Sequence, residues 1–291
     1  MIKEMDINRL LSEYINKMPS LPTSVTKVLE ICNNQHTNPI DLNHVISLDP
    51  VLVGRVLKLI NSAYYGLGQH VTNLARAIIM LGINTVKNLA LSTVVLEHLA
   101  SKSEKTGLDM EGFWRHSLCV GVSAKLLARK RGIDGQLTEE YFTAGILHDI
   151  GKIPLNAVLA KDYMLTISVA DKNRESLFRT ENSSMGLTHC DAGAMIASAW
   201  KLQGAILDVI VNHHNCEEYS GDNADVVYTV AAANHFASLS KTGFSGDCYP
   251  ESLPKRIWEA LDVPRDVFDD IEESVHSEIE KAAIYLKLNH L

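Results

Sequence analysis

An all-α fold is predicted by three features of the chain. Apolar residues recur at helical spacing along most of the sequence. Proline, glycine and Asp-Pro steps interrupt those runs at helix-length intervals. Strand-like alternation of apolar and polar residues is almost absent. The polar stretch SKSEKTGLDM, residues 101–110, divides the chain into two expected helical lobes, 1–105 and 106–291.

The elements follow in order. Leu10, Leu11, Tyr14 and Ile15 form a first stripe, closed by Pro19 and Pro22. Val25, Val28, Leu29 and Cys32 form a second, and Leu42, Val45 and Ile46 a short third after Pro39. Asp49-Pro50 starts a helix, because the carboxylate accepts from free backbone N–H groups and proline suits the first helical position. That helix carries Val53, Val56, Leu57 and Ile60 and ends in NSAYYG, residues 61–66. Thr72 is expected to cap a helix over 73–81, with Gly82 as its left-handed stop. Another helix runs through Val86, Leu89, Ala90, Val94 and Leu99. Beyond the linker, helices are expected near 111–131, 138–149, 188–201, 204–214, 222–241 and 266–288.

Composition narrows the function classes. The 291 residues are 46% hydrophobic and 21% charged, which supports a large core and excludes a disordered chain. Cys32, Cys119, Cys190, Cys216 and Cys248 form no CxxC pair, which excludes zinc ribbons, thioredoxin-like motifs and a disulfide scaffold. A reducing, cytoplasmic compartment is the expectation. The net charge of −8 offers no general attraction to nucleic acid or anionic lipid, so neither is expected as a partner. The opening MIKEMD has no signal-peptide character. The apolar stretch 77–100 is interrupted by Asn84, Lys87 and Asn88 and reads as core helices, not a membrane span.

Twelve histidines raise the question of metal. His36, His44, His70, His98, His235, His276 and His290 read as structural or solvated, because no spacing argues otherwise. His148-Asp149 ends the YFTAGILHD helix beside Ala144 and Gly145, small residues that admit a neighbouring helix. A neutral imidazole and a carboxylate are both ligands for borderline divalent metals. His116 continues inward through Cys119, Val120, Ser123 and Leu127. His189 is followed by Ala192, Gly193, Ile196 and Trp200, again an inward face. His213-His214 follow Ile206, Val209 and Ile210, and read either as ligands or as a solvated helix end.

The order His116, His148-Asp149, His189, His213-His214 resembles the HD phosphohydrolase superfamily, and the double histidine resembles its HD-GYP branch. Pro19-Ser20-Leu21-Pro22, DPVLVGRVLKLINSAYYG (49–66) and AIIMLGINTVKNLAL (77–91) narrow this. With FWRHS, AGILHDIGK and the span from His189 to His214, they resemble the HDOD family, the HD-related output domain, over roughly residues 15–240. That resemblance implies an all-helical bacterial signalling module, here without a visible receiver or sensory module. It implies a divalent transition-metal site of one or two ions, iron or manganese before zinc or nickel.

The departures shape the functional expectation. His213-His214 are followed by NCEEYSGD, without the Gly-Tyr-Pro signature of cyclic-dinucleotide hydrolases. Where HD enzymes supply a late aspartate, TVAAANHFA offers Asn234. The first metal position, at His116, His148 and Asp149, is therefore expected to be the weaker. The second would draw on Asp149, His189, His213 and His214. Lys152 reads either as a cation near substrate phosphate or as a helix C-terminal lysine facing the macrodipole. The leading expectation is a regulatory module that binds a signalling protein or nucleotide. A metal-dependent phosphohydrolase is the alternative.

Overall fold

The computed structural model describes residues 4–32, 38–100 and 107–288. These residues form sixteen helices and, among themselves, no strand. The first six are α1 (Glu4–Asn16), α2 (Thr23–Cys32), α3 (Pro39–Ser47), α4 (Pro50–Ile60), α5 (Leu74–Leu81) and α6 (Ile83–Ala100). The next five are α7 (Met110–Lys130), α8 (Thr138–Leu147), α9 (Lys152–Asn173), α10 (Leu177–Met185) and α11 (His189–Ala199). The last five are α12 (Ala205–Asn212), α13 (Ala224–Ser240), α14 (Lys255–Ala260), α15 (Glu272–Ala282) and α16 (Ile284–Leu288). His36, His290 and most of the 101–110 linker lie outside the described residues.

Local chemistry explains the starts and stops. Asp49 Oδ1 accepts from the N–H groups of Val51 and Leu52, so Asp49-Pro50 opens α4. At α5 the cap is Asn73, not Thr72: its Oδ1 accepts from Arg76 N–H at 2.8 Å. Gly82 does take a positive φ, 85°, but its ψ of 161° is extended, not left-handed helical. The helix expected over 266–288 begins six residues later and breaks at Ala283, giving α15 and α16. The segment 150–187 carries α9 and α10, two helices absent from the expectation. Pro154 lies in the first turn of α9, where its missing N–H costs nothing.

Helices α7 and α8 make the most extensive helix pairing among the described residues. They cross at glycines: a Cβ on Gly145 would stand 2.7 Å from Gly121 Cα, so both positions must lack a side chain. Around this crossing Phe113, Trp114, Leu127, Phe142 and Leu147 are buried. Each such side chain contributes roughly 1.5–3 kcal/mol of hydrophobic stabilisation. The N-terminal helices join the same core through α6 on α8 and α1 on α9 and α11. Trp200 Nε1 also donates to Pro19 O at 3.2 Å. No single described helix is long and apolar enough to cross a membrane; α5 and α6 pass together on composition but bend by 119° at their junction.

Candidate metal centre

Five helix ends and faces deliver the site. His116 comes from the middle of α7, His148 caps the C-terminus of α8, and Asp149 begins the turn into α9. His189 opens α11, and His213 and His214 close α12. Gly151 lets that turn lie directly on α11: a Cβ there would run into the His189 carbonyl and the Gly193 N–H.

Five histidine side chains gather around Asp149. His189 Nε2 lies 3.2 Å and His213 Nε2 3.5 Å from Asp149 Oδ1, and His148 Nε2 lies 3.2 Å from Oδ2. Two donor groups result, each with its ligand atoms within 4.8 Å of one another. One is Asp149, His189, His213 and His214; the other is His116, His148 and Asp149. The carboxylate is common to both. All these residues are buried except His214, which is half-buried and stacked on Phe178.

Hydrogen bonds on the far side of each ring set its tautomer. His148 Nδ1 donates to Gly145 O at 2.7 Å, and His213 Nδ1 to Val209 O at 2.9 Å. His189 Nδ1 donates to Glu181 Oε2 at 2.6 Å. Each ring therefore turns its Nε2 toward Asp149, the arrangement that metal-ligating imidazoles require. Nε2 of His148, Oδ1 of Asp149 and Nε2 of His214 are buried without a hydrogen-bond partner among the described residues. Leaving such atoms unpaired costs about 1–3 kcal/mol each, more for a charge, and a shared cation removes the deficit. The donor set thus fits a divalent metal.

The two groups are not equivalent. His116 Nε2 lies 3.0 Å from Asn234 Oδ1, on α13. With the amide oxygen accepting, Nε2 carries the hydrogen and offers no lone pair. Lys152 also lies in the site, with Nζ donating to Asp149 Oδ2 at 2.6 Å. It is the first residue of α9, so the reading as a helix C-terminal lysine is incorrect.

Charge follows this geometry. Burial alone would raise the Asp149 carboxyl, but His148, Lys152 and His189 hold it well below the usual carboxylate range. Burial, reinforced by His148, pushes His116 down to about 3. Burial opposes protonation of His189, yet Glu181 lifts it to about 10. Against the same penalty, Cys190 and Asp149 lift His213 to about 9. His148 and His214 are lowered, chiefly by burial.

Three neighbours of the site carry no sequence signal of their own. Glu181, fully buried on α10, holds His189, and its Oε1 accepts from Tyr163 OH at 2.8 Å. Cys190 Sγ lies 3.9 Å from His213 Nδ1. None recurs at a ligand spacing, and Glu181 and Tyr163 sit in the segment without an expected helix. A cavity of about 210 Å³ opens beside the centre, bounded by His213, His214, Asn234, His235, Arg179 and Glu251.

The chain resembles known proteins over nearly its full length. It is 25% identical over 249 residues to an uncharacterized protein of Treponema pallidum, covering 85% of this chain and 46% of that one. The chain thus spans about half the length of this curated relative. A Geobacter sulfurreducens HDOD domain protein of unknown function superposes with a TM-score of 0.75 at 24% identity, covering 96% of this chain and 97% of the other. A candidate phosphohydrolase of Shewanella amazonensis superposes at 0.69 and 22% identity, covering 95% and 98%. At these identities the likeness shows the fold alone. The HDOD domain model matches residues 18–216, well over half of the sequence, and the chain belongs to the HDOD family.

Proposed function

We propose that this chain is a regulatory output module that holds one transition-metal ion at Asp149, His189, His213 and His214. The position at His116, His148 and Asp149 is impaired. The observation that carries this reading is the contrast between the two groups. On one side Asp149 Oδ1 is faced by Nε2 of His189 and His213, with His214 Nε2 buried and unpartnered beside them; on the other, His116 Nε2 is engaged by Asn234. Three imidazoles and one carboxylate favour iron or manganese, with zinc and nickel compatible.

A bound ion supplies Lewis acidity and lowers the pKa of a coordinated water. Paired-metal hydrolysis needs both positions, so the unmodified chain is expected to turn over cyclic dinucleotides poorly or not at all. The module would act by binding a signalling protein or nucleotide. Exposed apolar side chains on the N-terminal helices, Ile40, Val51 and Ile79 among them, support a protein-docking role for these helices. Elemental analysis of the purified protein, paired with a hydrolysis screen on nucleotides and cyclic dinucleotides, tests the proposal. About one ion per chain without turnover supports it, and robust metal-dependent turnover overturns it.

A metal-dependent phosphohydrolase is the second reading. The cavity opening onto His213, His214 and Asn234 favours it, because a ligand there would reach the centre directly.

A further inference from the structure

A larger cavity, of about 500 Å³, lies where the N-terminal helices meet α7, α8 and α15, and it shares no lining residue with the cavity beside the metal centre. Its size falls within the usual range of small-molecule sites, ~300–1,000 Å³. It includes the end of the NSAYYG motif, which the metal centre does not use.

The walls have a specific chemistry. Lys125 and Glu139 form an ion pair with side chains only 5% and 4% exposed. Lys125 Nζ also donates to Tyr64 OH at 3.1 Å and lies 4.4 Å from the centre of that ring. Tyr65 OH donates to Glu139 Oε2 at 3.1 Å and pairs with Tyr285 OH at 2.8 Å. Tyr64 and Tyr65 meet edge to face, with ring centroids 5.1 Å apart. A buried ion pair is weak as cement, since apolar packing of equal volume often stabilises as well or better. Here it is wired to two tyrosines on a cavity wall, which gives the polar groups a second use.

Charge selects the ligand class. Lys125 is matched by Glu139, Lys281 by Glu278 at 2.7 Å, and Arg129 and Asp134 line the same cavity with opposite sign. The lining carries no net charge, so it favours neither a phosphate nor a metal ion. It does present donors, acceptors and aromatic surface, including the Gln136 amide, which rests against Gly82 at the edge of the site. We propose that this cavity binds an uncharged heteroaromatic molecule of the nucleoside class.

The cavity and the metal centre share two helices. Lys125 lies on α7 nine residues after His116, and Glu139 on α8 nine residues before His148. A ligand would therefore touch the same two helices that supply half of the metal centre, ~13 Å along each.

The test is calorimetric titration of the full chain with adenosine, guanosine, cytidine and uridine, with AMP as the charged comparison. Saturable binding of at least one nucleoside, with its 5′-phosphate binding more weakly, is expected. Ala63 is exposed at the cavity, so Ala63→Trp should block it without disturbing the core. Ala63→Trp and Gln136→Ala should each weaken binding about tenfold or more, roughly 1.4 kcal/mol. Stripping metal with a chelator should leave nucleoside affinity unchanged, which separates this proposal from the one about the metal centre. No saturable nucleoside binding, binding indifferent to both substitutions, or binding lost with the metal would each overturn it.

Discussion

Oε2 of Glu181 accepts both the backbone N–H of His189, at 2.8 Å, and its Nδ1–H, at 2.6 Å. One buried carboxylate thus fixes where α11 starts and which way its first side chain points. Tyr163 holds the other oxygen, so Glu181 has little freedom to turn. Glu181→Gln keeps the shape and removes the charge. Metal affinity at the His189 position should fall about 10–100-fold with the chain still folded. Competitive chelator titration with far-ultraviolet circular dichroism measures both, and unchanged affinity would remove Glu181 from the site.

Asn234→Asp tests the position proposed to be impaired. A carboxylate facing His116 adds the negative charge that the amide lacks. The expected result is a rise from about one toward two ions per chain, measured by elemental analysis, without any requirement that activity appear. Two ions already present in the unmodified protein would show that the amide suffices.

Metal uptake should compete with protons. His189 and His213 are raised to about 10 and about 9, above an ordinary histidine, so in the metal-free chain the protonated rings are favoured. The stabilisation they give that state is fully present below about pH 6.5 and fades as pH rises through those values. An ion must displace the Nε2 protons, so affinity should strengthen with pH and binding should release protons. Calorimetry in buffers of different ionisation enthalpy detects the release. An affinity flat across neutral pH would contradict the prediction.

Gly145→Ala should damage fold and site together. The new methyl would sit 2.7 Å from Gly121 Cα, backbone that cannot step aside. Overpacking of this kind costs roughly 1–3 kcal/mol. Since α8 carries His148 and leads into Asp149, urea unfolding and metal content should both register the change. A variant with wild-type stability would mean that α7 and α8 separate easily.

Ile79→Lys probes the N-terminal face. Ile79 is 78% exposed, so its loss should change stability by no more than about 0.5 kcal/mol. Signalling output in cells should drop while metal content stays constant. Loss of metal would contradict the separation of the two functions.

Much of this arrangement was legible because particular residues act locally. The capping chemistry of Asp49-Pro50 involves only its own helix, and the histidines fall on inward helical faces that small neighbours leave accessible. Helix α9 carries Pro154 in its first turn, and the meaning of a proline depends on whether it lies inside a helix or at its start. Thr72 and Asn73 are both competent caps, and only the path of the chain chooses between them. Glu181 was invisible for a different reason. A glutamate on a short polar helix normally faces water, and only tertiary packing turns this one onto His189. Lys152 reads in sequence as a phosphate-facing cation or as a helix C-terminal lysine, and only the start of α9 at that residue decides against the second.

Asp149 belongs to both donor groups, whereas Asn234 touches only one. The centre is therefore nested, not duplicated. A change at 234 prunes one branch and leaves the other standing; a change at 149 fells both. Descendants of such a chain can shed chemistry in stages, giving up an ion while keeping the buried charge balance around the remaining one.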